Sequence, residues 1–283
     1  MLLAVHNDSA YVAAAIDSVL RQTLTDLELV VIDDASTDET PERLAAYDDG
    51  RVRVERNSER LGLAASLNSA LDLAEGQYVA RLDADDVALP QRLEEQVAFI
   101  RTDTRLAVVG SAVRDLDEHD APGRLHRNPL GRRGVRWLAL FSSPFFHPTV
   151  LVDRGRLEQL GLRYDTSFAE SEDYDLWTRL LRDGDGANLP RALVLKRVHA
   201  AQASQRRGEV QQSFQRQVAL REIATIAPHV DAERAWRLGA RRRGGSRAEF
   251  LRLLAAFQRR HGRDREVLAL AARALLSPRR RRP

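Results

Sequence analysis

The sequence predicts an α/β protein, a mostly parallel sheet flanked by helices, followed by a C-terminal α-helical extension. Three observations predict it. Short apolar runs alternate with helical stripes through the first hundred residues, the pattern that builds a parallel sheet with right-handed crossovers. Two of those runs, Leu27–Ile32 and Tyr78–Leu82, stop abruptly at clustered carboxylates. Beyond residue 204 the strand pattern ends, and only helical periodicity remains.

The elements follow in order. Leu2 to Val5 is a short strand ending in the polar turn His6-Asn7-Asp8-Ser9. Val12, Ile16, Val19 and Leu20 share one helical face. Leu27 to Ile32 is a buried strand that stops at Asp33-Asp34, and Pro41 suits the first turn of the helix after it, with Leu44 and Tyr47 inward. Val52 to Glu55 is a third strand, Leu63 to Ala74 a helical stripe closed by Gly76, and Tyr78 to Leu82 a fourth strand. Pro90 opens a helix carrying Leu93, Val97 and Ile100, and Leu106 to Val113 is again a strand. Residues 115–134, polar and rich in Gly, Pro and His, read as a loop or lid. The aromatic stretch Trp137 to Phe146 reads as core, and a strand follows His147-Pro148. Gly155–Leu160 is a short helix, Glu172 starts another, and Leu193 to Val198 is the last strand, leading to His199. Helical patterns then cover Phe214–Ile226, Ala232–Leu238, Phe250–Phe257 and Val267–Leu276.

Composition bounds the chemistry. The 283 residues are 43% apolar and 30% charged, a globular balance with room for a sizeable core. Without cysteine there is neither a disulfide nor a thiolate metal site. No apolar run approaches the roughly 18 residues of a membrane span, and no signal-like segment opens the chain, so a cytoplasmic protein is expected. The net charge of +3 hides an asymmetry: residues 205–283 hold 20 Arg against 7 Asp and Glu, a balance of +13, and the rest carries −10. A boundary is expected near Ser204, dividing 1–204 from 205–283.

The stretch Asp83-Ala84-Asp85-Asp86 packs three carboxylates beyond a strand's carboxyl end, where open α/β sheets bind ligands. Their mutual repulsion is relieved by protonation or by a hard cation such as Mg²⁺ or Mn²⁺ shared with a substrate phosphate. An acidic turn that merely caps the next helix is the other reading. Asp33/Asp34 and Glu172/Asp173 are two more acidic clusters at strand ends or loop–helix junctions, and in a parallel sheet the first two clusters share one edge.

Taken together, these motifs resemble the inverting glycosyltransferases of family 2, nucleotide-sugar enzymes of the GT-A fold. The matching residues are Ala4-Val5-His6-Asn7, the Val30 to Asp38 stretch, Asn57 with Leu61-Gly62-Leu63, the Asp83-Ala84-Asp85 (DxD) motif and Glu172-Asp173. The likeness covers roughly residues 1–204, which it makes the catalytic domain. It implies a metal-dependent transfer of one sugar from a nucleotide-sugar, usually a UDP-sugar, to a hydroxyl acceptor. Asp34, or else Asp33, would bind the nucleobase, with Asn7 and Asn68 beside the donor. Asp83 would lie near the ribose or the metal, and Asp85 would coordinate Mn²⁺ or Mg²⁺ at the diphosphate. Asp173 resembles the general base, with Glu172 beside it. His199 is expected at the metal and His147 in the acceptor pocket.

The resemblance also implies a setting in cell-surface polysaccharide or glycolipid assembly, with a saccharide or lipid-linked acceptor. No Gln-x-x-Arg-Trp motif of processive synthases appears, so single addition is expected. The first strand begins at Met1, whereas members of the family carry residues ahead of it, so a start upstream is expected. Residues 205–283 lie outside the resemblance. Arg241-Arg242-Arg243 and Arg279 to Arg282 suit either solvated faces with a disordered end or an anionic surface at the inner face of the membrane. No nucleic-acid partner is expected. The rivals are a sugar-nucleotide pyrophosphorylase, which needs a Gly-rich loop where His6-Asn7-Asp8-Ser9 stands, and a catalytically silent scaffold using the basic tail to bind nucleic acid or a membrane.

Overall fold

A computed structural model describes residues 1–117, 119–168, 170–198 and 208–276, the side chains of 208 and 209 excepted. The N-terminal half of its sheet is parallel: β1 (Leu2–Val5) lies beside β2 (Leu29–Asp33), and β2 beside β3 (Val52–Arg56). On its other side β1 meets the end of β4 (Tyr78–Ala80) through the pairing of Leu2 with Arg81. The sheet continues through β8 (Leu151–Asp153), β6 (Leu106–Leu116), β9 (Asp185–Arg197) and β5 (Val87–Ala88). β6 and β9 are parallel, whereas β8 and β5 run antiparallel to their neighbours. The α/β architecture is as expected, and its second half is mixed. An apolar run announces a buried strand but not its direction, which depends on where the preceding loop delivers the chain.

Both faces of β1 and β2 are covered, which is why these two strands are apolar rather than alternating. At the edge, β3 alternates valine with charged residues and is mostly exposed. Leu3, Val5, Leu29 and Val31 face α1 (Val12–Leu20) and α4 (Arg92–Ile100). Leu2, Val30 and Ile32 face α3 (Leu63–Leu73) and belong to the cluster that holds Leu176, Trp177 and Leu180 of α7 (Glu172–Leu180). Between β2 and β3 lies α2 (Thr40–Ala45), with Pro41 in its first turn.

Residues 115–134 depart from the expected loop. β6 runs on to Leu116, and β7 (Pro122–His126) returns along it as a hairpin. The Asp117 carboxylate accepts from the backbone N–H groups of His119 at 2.9 Å and Ala121 at 2.8 Å, which sets the turn. β7 lies at the edge of the sheet and exposes Pro122, Gly123 and Arg124, so it carries a loop's composition.

In the tail Arg241, Arg242 and Arg243 are solvated, as one reading expects, while the apolar helix faces pack against the body. After α5 (Arg132–Leu138), α6 (Arg154–Gln159) and α7 come α8 (Gly208–Ile226), α9 (Ala232–Gly239), α10 (Arg247–His261) and α11 (Arg265–Leu276). They close a third core around Trp137 and Phe141, at the end of α5 and just beyond it. The Trp137 ring meets Phe141, Phe250 and Phe257 edge-on, at centroid distances of 5.1, 5.6 and 5.1 Å. Glu266 at the start of α11 accepts from the N–H groups of Leu130 and Gly131 ahead of α5, at 2.7 and 2.9 Å. A Cβ at Gly134 would collide with that carboxylate, so glycine permits the close approach. Arg279 to Arg282 lie outside the described residues.

Candidate active site

The first acidic pair sits where β2 ends. Asp33 is buried, and its Oδ1 accepts from Ser36 N at 2.9 Å. Asp34 ties the β3–α3 loop to the sheet edge: Oδ1 accepts from Asn57 Nδ2 and Leu61 N, and Oδ2 from Gly62 N, each at 2.8 Å. Burial disfavours its charge, but the donors from Asn57, Leu61 and Gly62 outweigh it and hold the carboxyl below its ordinary range. Asn7, at φ 55°, straps the end of β1 to the loop after β2. Its N–H donates to Ser36 Oγ at 3.0 Å, and its Oδ1 accepts from Thr37 N at 2.7 Å. These contacts shape a rigid rim.

The second cluster lies in the turn after β4. Ligand atoms of Asp83, Asp85 and Asp86 fall within 4.8 Å of one another. Asp86 is buried; Oδ1 accepts from Arg197 N at 2.9 Å, and Oδ2 has no hydrogen-bond partner among the described residues. Burial, then the charges of Asp83 and Asp85, push its carboxyl well up. Three oxygen donors with an orphaned carboxylate oxygen among them fit a hard divalent cation. Beneath the turn, Arg92 is fully buried and donates through Nη2 to Arg81 O at 2.7 Å and Val150 O at 3.3 Å. It satisfies two carbonyls where β4 and β8 part. Burial and the charge of Arg81 lower its pKa to about 9.

Glu172 and Asp173 open α7. Asp173 is partly accessible, accepts from Ser143 Oγ at 3.1 Å, and is shifted upward by burial. Glu172 is buried, and burial together with Asp173 raises its pKa to about 7. Behind them Tyr164 Oη lies 3.0 Å from His147 Nε2, and both rings meet Trp177 edge-on. Burial and Arg81 push His147 well below its ordinary range, so this histidine is neutral.

Arg81 is what joins the two acidic groups. Only 3% exposed, it pairs with Asp83, and its charge favours the ionised forms of Asp86, Glu172 and Asp173. None of the sequence motifs singles it out, although an arginine inside the apolar run from Tyr78 to Leu82 is a visible signal. Ser143 and Tyr164 carried none. Arg197 could have drawn notice as the charge that ends the last strand. Its guanidinium reaches Asp85 O at 3.1 Å and Asp120 Oδ1 at 2.8 Å, and stacks over Tyr11.

Asn68, expected at the donor, has both ends of its amide on the backbone of Tyr164: Nδ2 donates to Tyr164 O and Oδ1 accepts from Tyr164 N, each at 2.9 Å. An amide so committed positions a neighbour. His199 lies outside the described residues.

The model of glycosyl transferase family 2 matches residues 2–160. An uncharacterized glycosyltransferase of Haemophilus influenzae is 30% identical over 214 residues, which cover 72% of this chain and 66% of that protein. The O-antigen biosynthesis glycosyltransferase WbnJ of Escherichia coli is 33% identical over 205 residues, 70% of this chain and 79% of WbnJ. Among solved structures, S. aureus TarS 1–349 in complex with UDP-GlcNAc is similar at a TM-score of 0.65 and 20% identity, over 97% of this chain and 78% of that one. The mannosyltransferase PcManGT from Pyrobaculum calidifontis, in complex with GDP-Man and Mn²⁺, is similar at 0.61 and 20%, over 97% and 79%. The likeness of fold therefore extends past residue 204, where the sequence motifs end, into the C-terminal helices. On the strength of the matched half of the chain, its relatives and its fold, this protein belongs to glycosyltransferase family 2.

Proposed function

We propose that the chain transfers one hexosyl group from a nucleotide-sugar, a UDP-sugar, to a hydroxyl acceptor with inversion at the anomeric carbon. The observation that carries this reading is the meeting of the turn Asp83–Asp86 and the pair Glu172–Asp173 around buried Arg81. Asp83 and Asp85 would hold Mn²⁺ or Mg²⁺, with Asp86 beneath them, and an ion bound there offsets charge on the departing diphosphate. Asp173, partly open to solvent and oriented by Ser143, takes the proton of the attacking hydroxyl. Glu172 shares that site, where burial and then the charge of Asp173 favour its protonated form. Asp34 and Asp33 line the nucleobase rim, and a carboxylate there accepts from an imide N–H, which favours uracil. Asn7 holds the same rim from β1, and Asn68 fixes Tyr164.

The donors printed for the neighbours, UDP-GlcNAc and GDP-Man with Mn²⁺, support a nucleotide-sugar and a divalent ion. The O-antigen role named for WbnJ supports cell-surface polysaccharide or glycolipid assembly, with a saccharide or lipid-linked acceptor. No described helix is long and apolar enough to cross a membrane. Peripheral attachment through the basic C-terminal region, residues 205–283, would keep the catalytic domain, residues 1–204, beside such an acceptor at the inner membrane face. The test is a screen of UDP-sugars for acceptor-dependent UDP release, repeated on Asp173→Asn. Loss of the base should lower kcat by about 10²–10⁴-fold with donor binding intact. Unchanged turnover in that variant would remove Asp173 from the reaction.

A further inference from the structure

At the far end of β9 from the acidic turn, the structure builds a basic cleft between α5, the start of β9 and the end of α10. It encloses about 510 Å³. Five arginines line it, Arg105, Arg132, Arg133, Arg136 and Arg260, against two carboxylates, Asp185 and Asp264. The floor is internally matched. Arg132 bonds to Asp103 and Asp185, and Arg136 donates to Asp185 at 3.1 Å and to Gly184 O at 2.7 Å. The mouth is not. Arg260 has a single long contact, 3.5 Å to Thr225 O, and no carboxylate partner among the described residues. Arg133 donates through Nε to His261 O and stands 4.0 Å from Asp264, about half exposed.

His261, also in the wall, stacks on Phe257 with centroids 4.6 Å apart. Burial, then the charges of Arg136, Arg260 and Arg133, lower its pKa to about 4. The arginine charges that add to burial here make a positive potential, in which an anion is held. Because β9 spans 13 residues, the cleft lies about 40 Å along the strand from the acidic turn. It is therefore distinct from the donor site.

We infer that this cleft is a second ligand site, one that takes a phosphate-bearing anion on Arg133 and Arg260, either a free phosphate compound or the headgroup of an anionic lipid. The cavity holds a diphosphate with room to spare, and arginine forks match phosphate oxygens two at a time. The tail contributes Arg260 to this site and the body the other four arginines, and the site does not depend on the catalytic assignment above.

Inorganic pyrophosphate titrated into the full chain in EDTA is the direct test, since the metal-free acidic turn repels anions. Saturable binding that weakens with salt is expected. Arg133→Gln with Arg260→Gln should weaken it about tenfold or more, since each lost charge-assisted contact is worth about that much. The thermal midpoint, measured alongside, reports whether the variant is folded, and the single variant Arg260→Gln on the exposed mouth supplies the answer should the double variant unfold. Co-sedimentation with phosphatidylcholine vesicles containing one quarter phosphatidylglycerol separates the sources. Vesicle binding that needs both arginines and is competed by pyrophosphate assigns a lipid headgroup; pyrophosphate binding without vesicle binding assigns a free phosphate. No saturable binding, or binding indifferent to both substitutions, overturns the proposal.

Discussion

Arg81 and Asp83, two residues apart at the exit of β4, close an ion pair whose guanidinium is 4% exposed and whose carboxylate is 34% exposed. Nε and Nη1 of the arginine find no other partner among the described residues. A cation this deep depends on its one direct counter-charge and on the field of Asp86, Glu172 and Asp173.

Asp83→Asn should therefore destabilise the metal-free protein by about 3 kcal/mol, because it strands a buried charge rather than removing a surface pair. Arg81→Met combined with Asp83→Asn should recover part of that loss. Urea denaturation of the two variants and the parent measures both effects, and equal destabilisation by the single and double changes would mean the pair is not coupled.

Glu172 has its pKa raised from 4.5 to about 7, so the folded state holds that proton more tightly than the unfolded chain does. Its contribution is complete below about pH 4.5 and is lost as pH rises towards and through 7. Glu172→Gln should thus match the parent at pH 4.5 and exceed it at pH 8, by up to roughly 3 kcal/mol on the 1.36 kcal/mol per unit scale. Denaturation at the two pH values checks the sign. Turnover of the parent should fall in acid as Asp173, whose carboxyl burial shifts upward, gains its proton.

Asp34 accepts three hydrogen bonds, two of them from backbone of the β3–α3 loop. Asp34→Ala should cost about 2–4 kcal/mol at pH 7, leaving those donors unmatched. Its depressed pKa gives stability present above the unfolded carboxyl pKa and lost as pH falls through the folded one. The cost of the substitution should shrink accordingly in acid, which melts at pH 7 and pH 3 compare.

Much of this was legible in the residues, for identifiable reasons. Leu27 to Ile32 and Tyr78 to Leu82 read as buried strands because both sheet faces are covered, and the carboxylates after them mark the edge where the chain turns. The antiparallel entry of β8 was not legible, since strand direction is a property of the whole path. Nor was the hairpin at residues 115–126, whose exposed ribbon has a loop's composition. Asn68 showed a polar residue on a helix but not its partner, Tyr164, 96 positions away in sequence. Trp137 read correctly as core; that its partners are Phe250 and Phe257 of the tail required the packing of distant helices.

Those partners give a further expectation. Trp137→Ala should cost about 3–5 kcal/mol by opening the core between α5 and α10. It should also expose residues 208–276 to trypsin, which finds many arginines there. Limited proteolysis at equal temperature for parent and variant tests it, and matching digestion patterns would show that Trp137 does not fasten the tail.

The turn Asp83–Asp86 is where a cation and the donor diphosphate would meet. Calorimetric titration with UDP, in EDTA and in Mn²⁺, on the parent and on Asp85→Ala, addresses that claim directly. Binding that requires Mn²⁺ and is abolished in Asp85→Ala is the predicted result. Binding indifferent to both the ion and the substitution would contradict it.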